Sequence, residues 1–188
     1  MPLPAPYRIR VYRPEDLPRL QDITADTFGP VSIDNNMERR FGPFGQGDWR
    51  TRKRAAIAED CRLQPDGVFV VEDESGTVVG YVTTRLSPTS GIGWIPNLAV
   101  DPAHQGKGLG RALLEHALEF FRARGMEIAR IETLEQNPIG QSLYPSLGFA
   151  EVARQIHYAM RLNRDADSGG ETEGCLNSSP NPEQKEVF

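Results

Sequence analysis

The sequence predicts a mixed α/β domain whose sheet is mostly antiparallel, contains one parallel strand pair and is flanked by helices. Two observations carry this prediction. Residues 93–134 show a strand pattern, a glycine-rich turn, a helix pattern and another strand pattern, which together make a βαβ crossover and hence a parallel pair. Hairpin patterns on either side of that crossover add antiparallel strands.

The first half of the chain predicts a strand, two helices and a hairpin. Residues 7–12 predict the strand, and Pro14 opens a helix that has acidic residues in its first turn. Residues 28–49 contain four glycines and two prolines, which predict a long mobile loop or a broken helix. Residues 51–63 look helical, and residues 68–84 predict two strands joined by a tight turn.

The second half alternates strands and helices. Its predicted elements are a strand at 93–100, a helix at 109–124, a strand at 128–134, a helix at 138–147 and a pair of strands at 149–162. Apolar residues repeat at helical spacing along the first helix, which Gly125 ends.

Composition divides the 188 residues into three parts. Residues 1–6 contain three prolines and predict a flexible lead-in. Residues 7–162 are the predicted domain. Residues 163–188 have few apolar side chains, so we expect a disordered tail that cannot offset its ordering entropy. This tail is acidic and carries −4 of the net charge of −5.

The charge and the cysteine content exclude several classes of protein. Residues 1–162 have a net charge near −1, which argues against a nucleic-acid-binding protein, because such proteins usually have an excess of basic residues. No apolar run approaches the roughly 18 residues of a membrane helix, and the N-terminus does not resemble a secretory signal. Cys61 and Cys175 form neither a disulfide framework nor a metal site. We therefore expect a cytoplasmic protein without metal or membrane partners.

The turn at residues 105–111 is the most informative segment, and it reads Gln-Gly-Lys-Gly-Leu-Gly-Arg. Glycines let backbone amides approach a ligand closely, and the N-terminus of the following helix favours anions. Lys107 and Arg111 add positive charge, so the turn predicts a pyrophosphate site. The alternative is a tight strand–helix turn without a ligand. Neither the dinucleotide fingerprint nor the nucleotide P-loop matches this spacing, although a nucleotide-dependent enzyme stays open as an alternative.

Two motifs resemble those of the GNAT N-acetyltransferase family. Gln105, Gly108 and Gly110 match the acetyl-CoA-binding pattern Q/R-x-x-G-x-G/A, within residues 97–110. Further along, Asn137 and the run Tyr-Pro-Ser-Leu-Gly-Phe that begins at Tyr144 are similar to the family's N…Y-x-x-x-G-F. The opening strand and helix are also similar, so the resemblance extends over most of the predicted domain.

The resemblance implies a GNAT fold, in which a central pair of parallel strands splays apart and the pantetheine arm of acetyl-CoA lies in the gap. It implies N-acetyl transfer from acetyl-CoA, as cosubstrate, to a primary amine by direct attack, with Tyr144 as the acid that protonates the leaving thiolate. The implied cofactor-binding residues are Leu98, Ala99, Val100, Gln105, Gly106, Lys107, Gly108, Leu109, Gly110, Arg111 and Asn137.

Alternatives remain for several of these residues. Leu98, Ala99 and Val100 also suit an ordinary buried strand. Tyr144 can simply pack the short helix, and Asn137 can serve only as a helix N-cap before Pro138.

The general base is open as well. The strand before the turn has no carboxylate, which leaves Glu132, Glu135 or an ordered water as candidates. Neutralising a lysine-like ammonium at pH 7 costs roughly 4.6 kcal/mol, against about 1.4 kcal/mol for a peptide α-amine, so the missing carboxylate favours the second kind of acceptor.

The acceptor amine, a small molecule or a peptide, is not specified by the sequence. In the family, specificity resides largely in the region that corresponds here to residues 28–63. The basic residues there suit either a solvated face or an acidic acceptor site, and Phe41, Phe44 and Trp49 suit either an acceptor pocket or a pinned loop. A non-catalytic acyl-CoA-binding regulatory domain is the alternative function. Strands at the C-terminal end of the domain can pair between subunits, so a homodimer is an open prediction.

Overall fold

A computed structural model describes residues 3–162, and their strands form a five-stranded sheet. The strands are β1 (Arg8–Val11), β2 (Val68–Glu72), β3 (Val78–Ser87), β4 (Ile92–Val100) and β5 (Ile128–Ile131). They lie side by side in chain order; β4 and β5 are parallel, and every other pair is antiparallel. The predicted mixed sheet with one parallel pair is therefore confirmed.

Helices cover both faces of this sheet. They are α1 (Leu17–Thr27), α2 (Ile33–Phe41), α3 (Trp49–Leu63), α4 (Leu109–Ala123) and α5 (Pro138–Leu143). Leu20 of α1 and Ile57 of α3 are fully buried in one apolar core, whereas Leu113 and Leu114 of α4 are fully buried in the other. The strand β2 supplies alternate residues to both cores, so all five of its residues are buried.

The register of β4 opens a gap between β4 and β5, and this parallel pair lies at one edge of the described sheet and not at its centre as expected. Its pairing with β5 covers only Ile92 to Ile95, whereas its pairing with β3 continues to Val100. The β3–β4 register shifts close to Pro96, which has no N–H to give to a neighbouring strand. Residues 96–100 thus have β3 on one side and no strand of the described chain on the other, which is the predicted splay.

Residues 28–49 form a broken helix, one of the two structures expected for them. A single 3₁₀ turn is followed by α2, and α2 ends at Gly42, whose φ of 71° lies in the left-handed region. The helix α3 then begins after Asp48, whose side chain accepts a hydrogen bond from the Thr51 N–H at 3.0 Å. This N-cap extends α3 two residues ahead of the predicted start.

The elements after α4 are shorter than predicted. The strand β5 ends at Ile131, and α5 ends at Leu143, ahead of a separate 3₁₀ turn that begins with Pro145. The chain divides into two units, residues 1–156 and 157–188, of which only the part up to residue 162 is described.

The prediction of two strands over 149–162 is wrong for the described structure. Residues 150–162 contain no strand, and Val152 and Ile156 are 93% and 74% exposed. Alternating apolar residues show that a segment is able to bury one face, but a strand also needs a hydrogen-bonding neighbour.

Candidate active site

The turn before α4 presents backbone rather than side chains. Gly106 and Gly108 have φ values of 75° and 80°, a conformation that favours glycine. A Cβ atom added to Gly106 would meet no atom within 4 Å, so the space beside the turn is open. The Ala112 N–H donates to the Gly108 carbonyl at 3.1 Å, and the earlier amides of α4 have no intrahelical acceptor. These amides and the helix dipole make the turn suitable for an anion.

The basic side chains of the turn are held by hydroxyl groups. Lys107 Nζ donates to the Tyr7 hydroxyl at 3.0 Å, and Arg111 Nη2 donates to Ser146 Oγ at 2.5 Å. Both of these partners are neutral, although Arg111 also lies 3.9 Å from a carboxylate oxygen of Glu115. The turn therefore keeps positive charge close to its open amides.

The splayed part of β4 borders this turn. The Gln105 side chain donates from Nε2 to the Val100 carbonyl at 3.0 Å, which fixes the turn to the end of the strand. Ala99 and Val100 are buried in opposite cores and Leu98 is half-buried. The side chains of this segment therefore pack as in an ordinary strand, while its backbone faces the gap left by β5.

Gly110 lies where three elements meet. A Cβ atom built there would lie 3.8 Å from a Leu143 side-chain carbon and 4.0 Å from carbons of Leu98 and Val100. The glycine turn, the splayed strand and α5 therefore converge around one glycine. The predicted cofactor residues on β4 and α4 and the residue just before Tyr144 are thus brought together, although they come from distant parts of the sequence.

Tyr144 follows α5 directly and is half-buried. Its ring packs against the core beneath α4 and meets Phe149 edge-on, with ring centroids 6.2 Å apart. Burial raises the pKa of the Tyr144 hydroxyl above its usual value of 10.0. The packing role expected as an alternative is thus present, and the same burial keeps the hydroxyl protonated at neutral pH.

Asn137 is the N-cap of α5. Its Oδ1 accepts from the Gly140 N–H at 3.3 Å, and its Nδ2 donates to Thr133 Oγ1 at 2.9 Å. A Cβ atom at Gly140 would lie only 2.6 Å from the same Thr133 oxygen, so this glycine permits the close approach. The capping alternative for Asn137 is confirmed, and its contact with a cofactor stays a prediction.

A buried polar network occupies the other side of β4, facing α3. Asp60 is 3% exposed and accepts hydrogen bonds from Asn97 Nδ2 at 2.6 Å and from Thr83 Oγ1 at 3.2 Å. The Arg85 guanidinium pairs with the same carboxylate. Lys53 Nζ then donates to Asn97 Oδ1 at 3.2 Å. Sequence analysis missed this network because its members come from three elements and have no common motif.

The two carboxylates named as candidate bases lie in exposed ion pairs. Glu132 accepts from Arg130 at 3.1 Å, and Glu135 accepts from Arg154 at 3.1 Å. Neither of these ion pairs includes Tyr144 or a residue of the splayed strand. The described residues also contain no cluster of ligands that would hold a metal ion.

The basic and aromatic residues of the 28–63 region are mostly structural. Trp49 is 6% exposed, so it helps to pin the region rather than lining an open surface. Arg52 stacks on the Phe44 ring, 4.1 Å from its centroid, and pairs with Glu38 at 2.7 Å. The pinned-loop interpretation therefore describes these side chains better than an aromatic pocket does.

Comparison with known proteins identifies the family. The profile of the acetyltransferase (GNAT) family matches residues 33–149, more than half of the chain. The chain belongs to the GNAT family. The predicted GNAT fold is confirmed.

Two mycothiol acetyltransferases are among the similar proteins. The one from Propionibacterium freudenreichii is 30% identical over 161 residues, which are 85% of this chain and 51% of that protein. The one from Thermomonospora curvata is 34% identical over 113 residues, which are 60% of this chain and 37% of that protein. The chain thus spans about half, or less, of the length of these relatives.

Two solved structures share the fold of this GNAT domain. A protein from Salmonella typhimurium, solved with its cofactor acetyl-CoA, aligns with a TM-score of 0.62 and 25% identity over 85% of this chain and 88% of that one. The ribosomal-protein-S18-alanine N-acetyltransferase of Escherichia coli aligns with a TM-score of 0.55 and 23% identity over 78% and 79% of the two chains. Within residues 3–162, no helix has the length and apolar character needed to cross a membrane.

Proposed function

We propose that this chain transfers the acetyl group of acetyl-CoA to a primary amine, which attacks the thioester carbonyl directly. The observation that carries the proposal is the convergence at Gly110 of the glycine turn, the splayed end of β4 and α5. Open amides, an unpaired strand edge and the residue just before Tyr144 are therefore close to one another. The GNAT family match over residues 33–149 supports the same activity.

The residues present fit acetyl-CoA. Beside Gly106 there is room that no protein atom fills, and the first amides of α4 have no intrahelical acceptor, as a pyrophosphate requires. The gap between β4 and β5 leaves strand backbone from Leu98 to Val100 for the amides of a pantetheine arm. Lys107 and Arg111 would add charge at the phosphate end, and Gln105 would hold the turn in place.

Acetyl-CoA supplies the acetyl thioester, and Tyr144 supplies a proton. As the amine nitrogen bonds to the carbonyl carbon, the carbon–sulfur bond breaks and the sulfur takes the electron pair. The Tyr144 hydroxyl then donates its proton to that sulfur. Because burial raises the pKa of Tyr144 above 10.0, the acid form persists over the whole neutral range.

The nucleophile must be a neutral amine. Reaching it at pH 7 costs roughly 4.6 kcal/mol for a lysine-like ammonium and about 1.4 kcal/mol for a peptide α-amine. The candidate bases Glu132 and Glu135 are exposed and already paired. The proposal therefore favours an acceptor whose amine loses its proton cheaply, with an ordered water as the proton acceptor.

The acceptor belongs to the class of small molecules or peptides that carry a primary amine. The relatives named mycothiol acetyltransferases make mycothiol-related amines the first compounds to test. Since this chain spans about half of those proteins or less, a panel of other amines belongs beside them. Cytoplasmic location and pairing of two subunits through residues 149–162 stay predictions, and sedimentation of the full chain tests the second.

The test is release of free CoA thiol in the presence of acetyl-CoA and an amine panel. The panel contains mycothiol-related amines, polyamines, aminoglycosides, amino acids and peptides, and mass spectrometry checks for addition of one acetyl group. We expect at least one amine to yield thiol and acetylated product in equal amounts. Tight binding of acetyl-CoA without thiol release from any amine would contradict the proposal and favour a regulatory acyl-CoA-binding domain.

A further inference from the structure

The cations of α3 differ from one another in their partners. Its four arginines each pair with a carboxylate: Arg50 with Asp48, Arg52 with Glu38, Arg54 with Asp22 and Arg62 with Glu59. Lys53 lies between two of these arginines, but it forms no ion pair with any carboxylate of the described residues. Lys53 is therefore the one basic residue of α3 that lacks an ion pair within the described chain, whereas the four arginines of this helix each have one.

The Lys53 ammonium is held in one place. Its Nζ donates to Asn97 Oδ1 at 3.2 Å and lies 4.4 Å from the centroid of the Phe28 ring. An ammonium has three N–H donors, and Asn97 takes one of them. A cation–π contact with Phe28 satisfies a second direction, so donor capacity remains for a further acceptor.

Asp60 determines which end of the Asn97 amide faces Lys53. An ionised carboxylate only accepts hydrogen bonds, so the amide nitrogen must point at Asp60, which it contacts at 2.6 Å. The amide oxygen is then left for Lys53. Asp60 is itself fixed by Thr83 and Arg85, so the position of the Lys53 ammonium is set by a chain of buried contacts.

A half-buried ammonium without an ion pair is unfavourable for the folded chain. Burial accordingly lowers the pKa of Lys53 below 10.5, although the charges of Asp34 and Asp60 oppose that shift. A methionine in the same place would fill the space without that cost. The cost of burying the Lys53 ammonium is offset if an anion from another molecule forms the missing ion pair with it.

The place of Lys53 indicates what that anion belongs to. Asn97 lies two residues beyond Ile95, where the pairing of β4 with β5 ends, and directly precedes Leu98. On the proposed function, Leu98 to Val100 border the pantetheine arm from the gap between the strands. The Lys53 ammonium therefore approaches the same stretch of β4 from the α3 face. On the proposed function the acceptor amine must reach the cofactor beside this stretch, so we assign the anion at Lys53 to the acceptor.

We propose that Lys53 binds an anionic group, a carboxylate or a phosphate, on the amine that this chain acetylates. The inference rests on the proposed function for the identity of the acceptor as an amine, and it adds a substrate class, amines that also carry a negative charge. Positive charge near the acceptor also disfavours the ammonium form of its amine. Lys53 thus helps to supply the neutral nucleophile, while the charge of the neighbouring Asp60 is already paired with Arg85.

The lysine content of the chain permits a binding test that needs no turnover. The sequence has three lysines, Lys53, Lys107 and Lys185, so protein labelled with carbon-13 at lysine Cε gives three signals. The variant Lys53→Arg assigns the first of these by removing it. The labelled protein is titrated with β-alanine, O-phosphoethanolamine and ethanolamine, first with CoA present and then without it.

We expect the Lys53 signal to shift with one or both anionic amines and to stay in place with ethanolamine. A response to β-alanine alone identifies a carboxylate, and a response to O-phosphoethanolamine alone identifies a phosphate. An unchanged Lys53 signal with both anions, or an equal shift with ethanolamine, would overturn the inference. Failure of CoA to bind would instead count against the proposed function, since the titration without CoA reports on Lys53 alone.

Kinetics with matched variants provide the second readout. Lys53→Met should reduce kcat/KM for anionic acceptors about tenfold or more relative to neutral ones, as expected for loss of a charge-assisted hydrogen bond. The loss should fall mainly on KM, and Lys53→Arg should restore part of it. Arg54→Met removes a neighbouring cation that pairs with Asp22 and should leave the ratio unchanged. Equal ratios for Lys53→Met and Arg54→Met would contradict the inference.

Discussion

The two sides of β4 are built on different physical principles. On the side of the splay, the phosphate-binding part of the candidate cofactor site consists of seven consecutive residues, 105–111, and its main groups are backbone amides left open by glycines. On the side of α3, the candidate acceptor site consists of Asp60, Asn97 and Lys53, which are linked by side-chain hydrogen bonds. The phosphate-binding turn is contiguous in sequence, whereas the residues of the second site are brought together only by folding.

Because the two sites are built differently, substitutions in the turn and in the Asp60 network should affect different properties. The open turn makes few packing contacts around Gly106, so changes there should alter ligand affinity more than folding. The buried network around Asp60 holds α3 against β3 and β4, so changes there should alter folding as well as the acceptor site. Variants on the two sides are therefore expected to separate these effects.

The largest effect is expected for Gly108→Glu. A carboxylate at the N-terminus of α4 would occupy the phosphate position and repel the phosphates, so CoA affinity should fall by at least about 100-fold. Gly125→Glu is the matched control, because Gly125 has a similar φ of 71° and open space at its Cβ. Calorimetric titration with CoA should show the loss only for Gly108→Glu. An equal affinity of the two variants would remove the turn from the site.

On the α3 side, Asp60→Ala should lower the free energy of unfolding by about 1–3 kcal/mol, because it leaves the buried Asn97 amide without its acceptor, whereas the partly exposed Arg85 can be solvated. Asp66→Ala removes a carboxylate from an exposed pair with Arg124 and should cost about 0–1 kcal/mol. Urea unfolding monitored by circular dichroism measures both. Similar losses would mean that the network around Asp60 contributes no more than a surface pair.

Tyr144→Phe keeps the packing of the ring and removes the proposed acid. We expect kcat to fall about 100-fold, within the range of a general acid, while CoA affinity stays near that of the parent. Tyr158→Phe, at a residue that is 90% exposed, is the control. Unchanged kcat in Tyr144→Phe would exclude the acid role.

The pH profile of the parent provides an independent check on this acid. The group must be protonated to act, and burial raises its pKa. Activity that depends on Tyr144 should therefore persist to above pH 10 and decline as the pH rises through that raised pKa. A decline that is complete below pH 9 would assign the alkaline limb to another group.

The smallest effect is expected at the acidic C-terminal tail. Deletion of residues 163–188, which lie outside the described structure, should leave kcat and KM within about twofold of the full chain. The expectation follows from their low apolar content. A larger loss of activity would show that the tail contributes to the site or to folding.

The parts of the fold that were predicted from sequence depend on local chemistry. The turn at Gly108 needs a left-handed residue before a helix, and the cap at Asn137 needs a short side-chain oxygen three residues before Gly140. Such requirements can be recognised from the residue types at a few neighbouring positions in the sequence. The splay was expected only from the family resemblance. In the structure it begins next to Pro96, which cannot donate a hydrogen bond to a neighbouring strand.

The parts that were missed depend on partners distant in sequence. The alternation over 149–162 indicates a strand, yet residues 150–162 have no strand neighbour in the described chain. The sequence left Lys53 among several basic residues that suit either a solvated face or an acidic acceptor site. Only its contact with Asn97, 44 residues away, distinguishes it from the arginines beside it. Secondary-structure propensity indicates which local structure a segment favours, but it does not indicate which distant side chains it will contact.

The measurement that tests the central claim most directly is amide nuclear magnetic resonance of the full chain during titration with CoA. The account predicts that the amide signals of Gly106, Gly108 and Gly110 shift together and saturate with CoA, along with those of Leu98 and Val100 on the splayed strand. It predicts little change for amides at the far end of α4, such as Gly125. Saturable shifts confined to other parts of the chain, with the turn unchanged, would contradict the account.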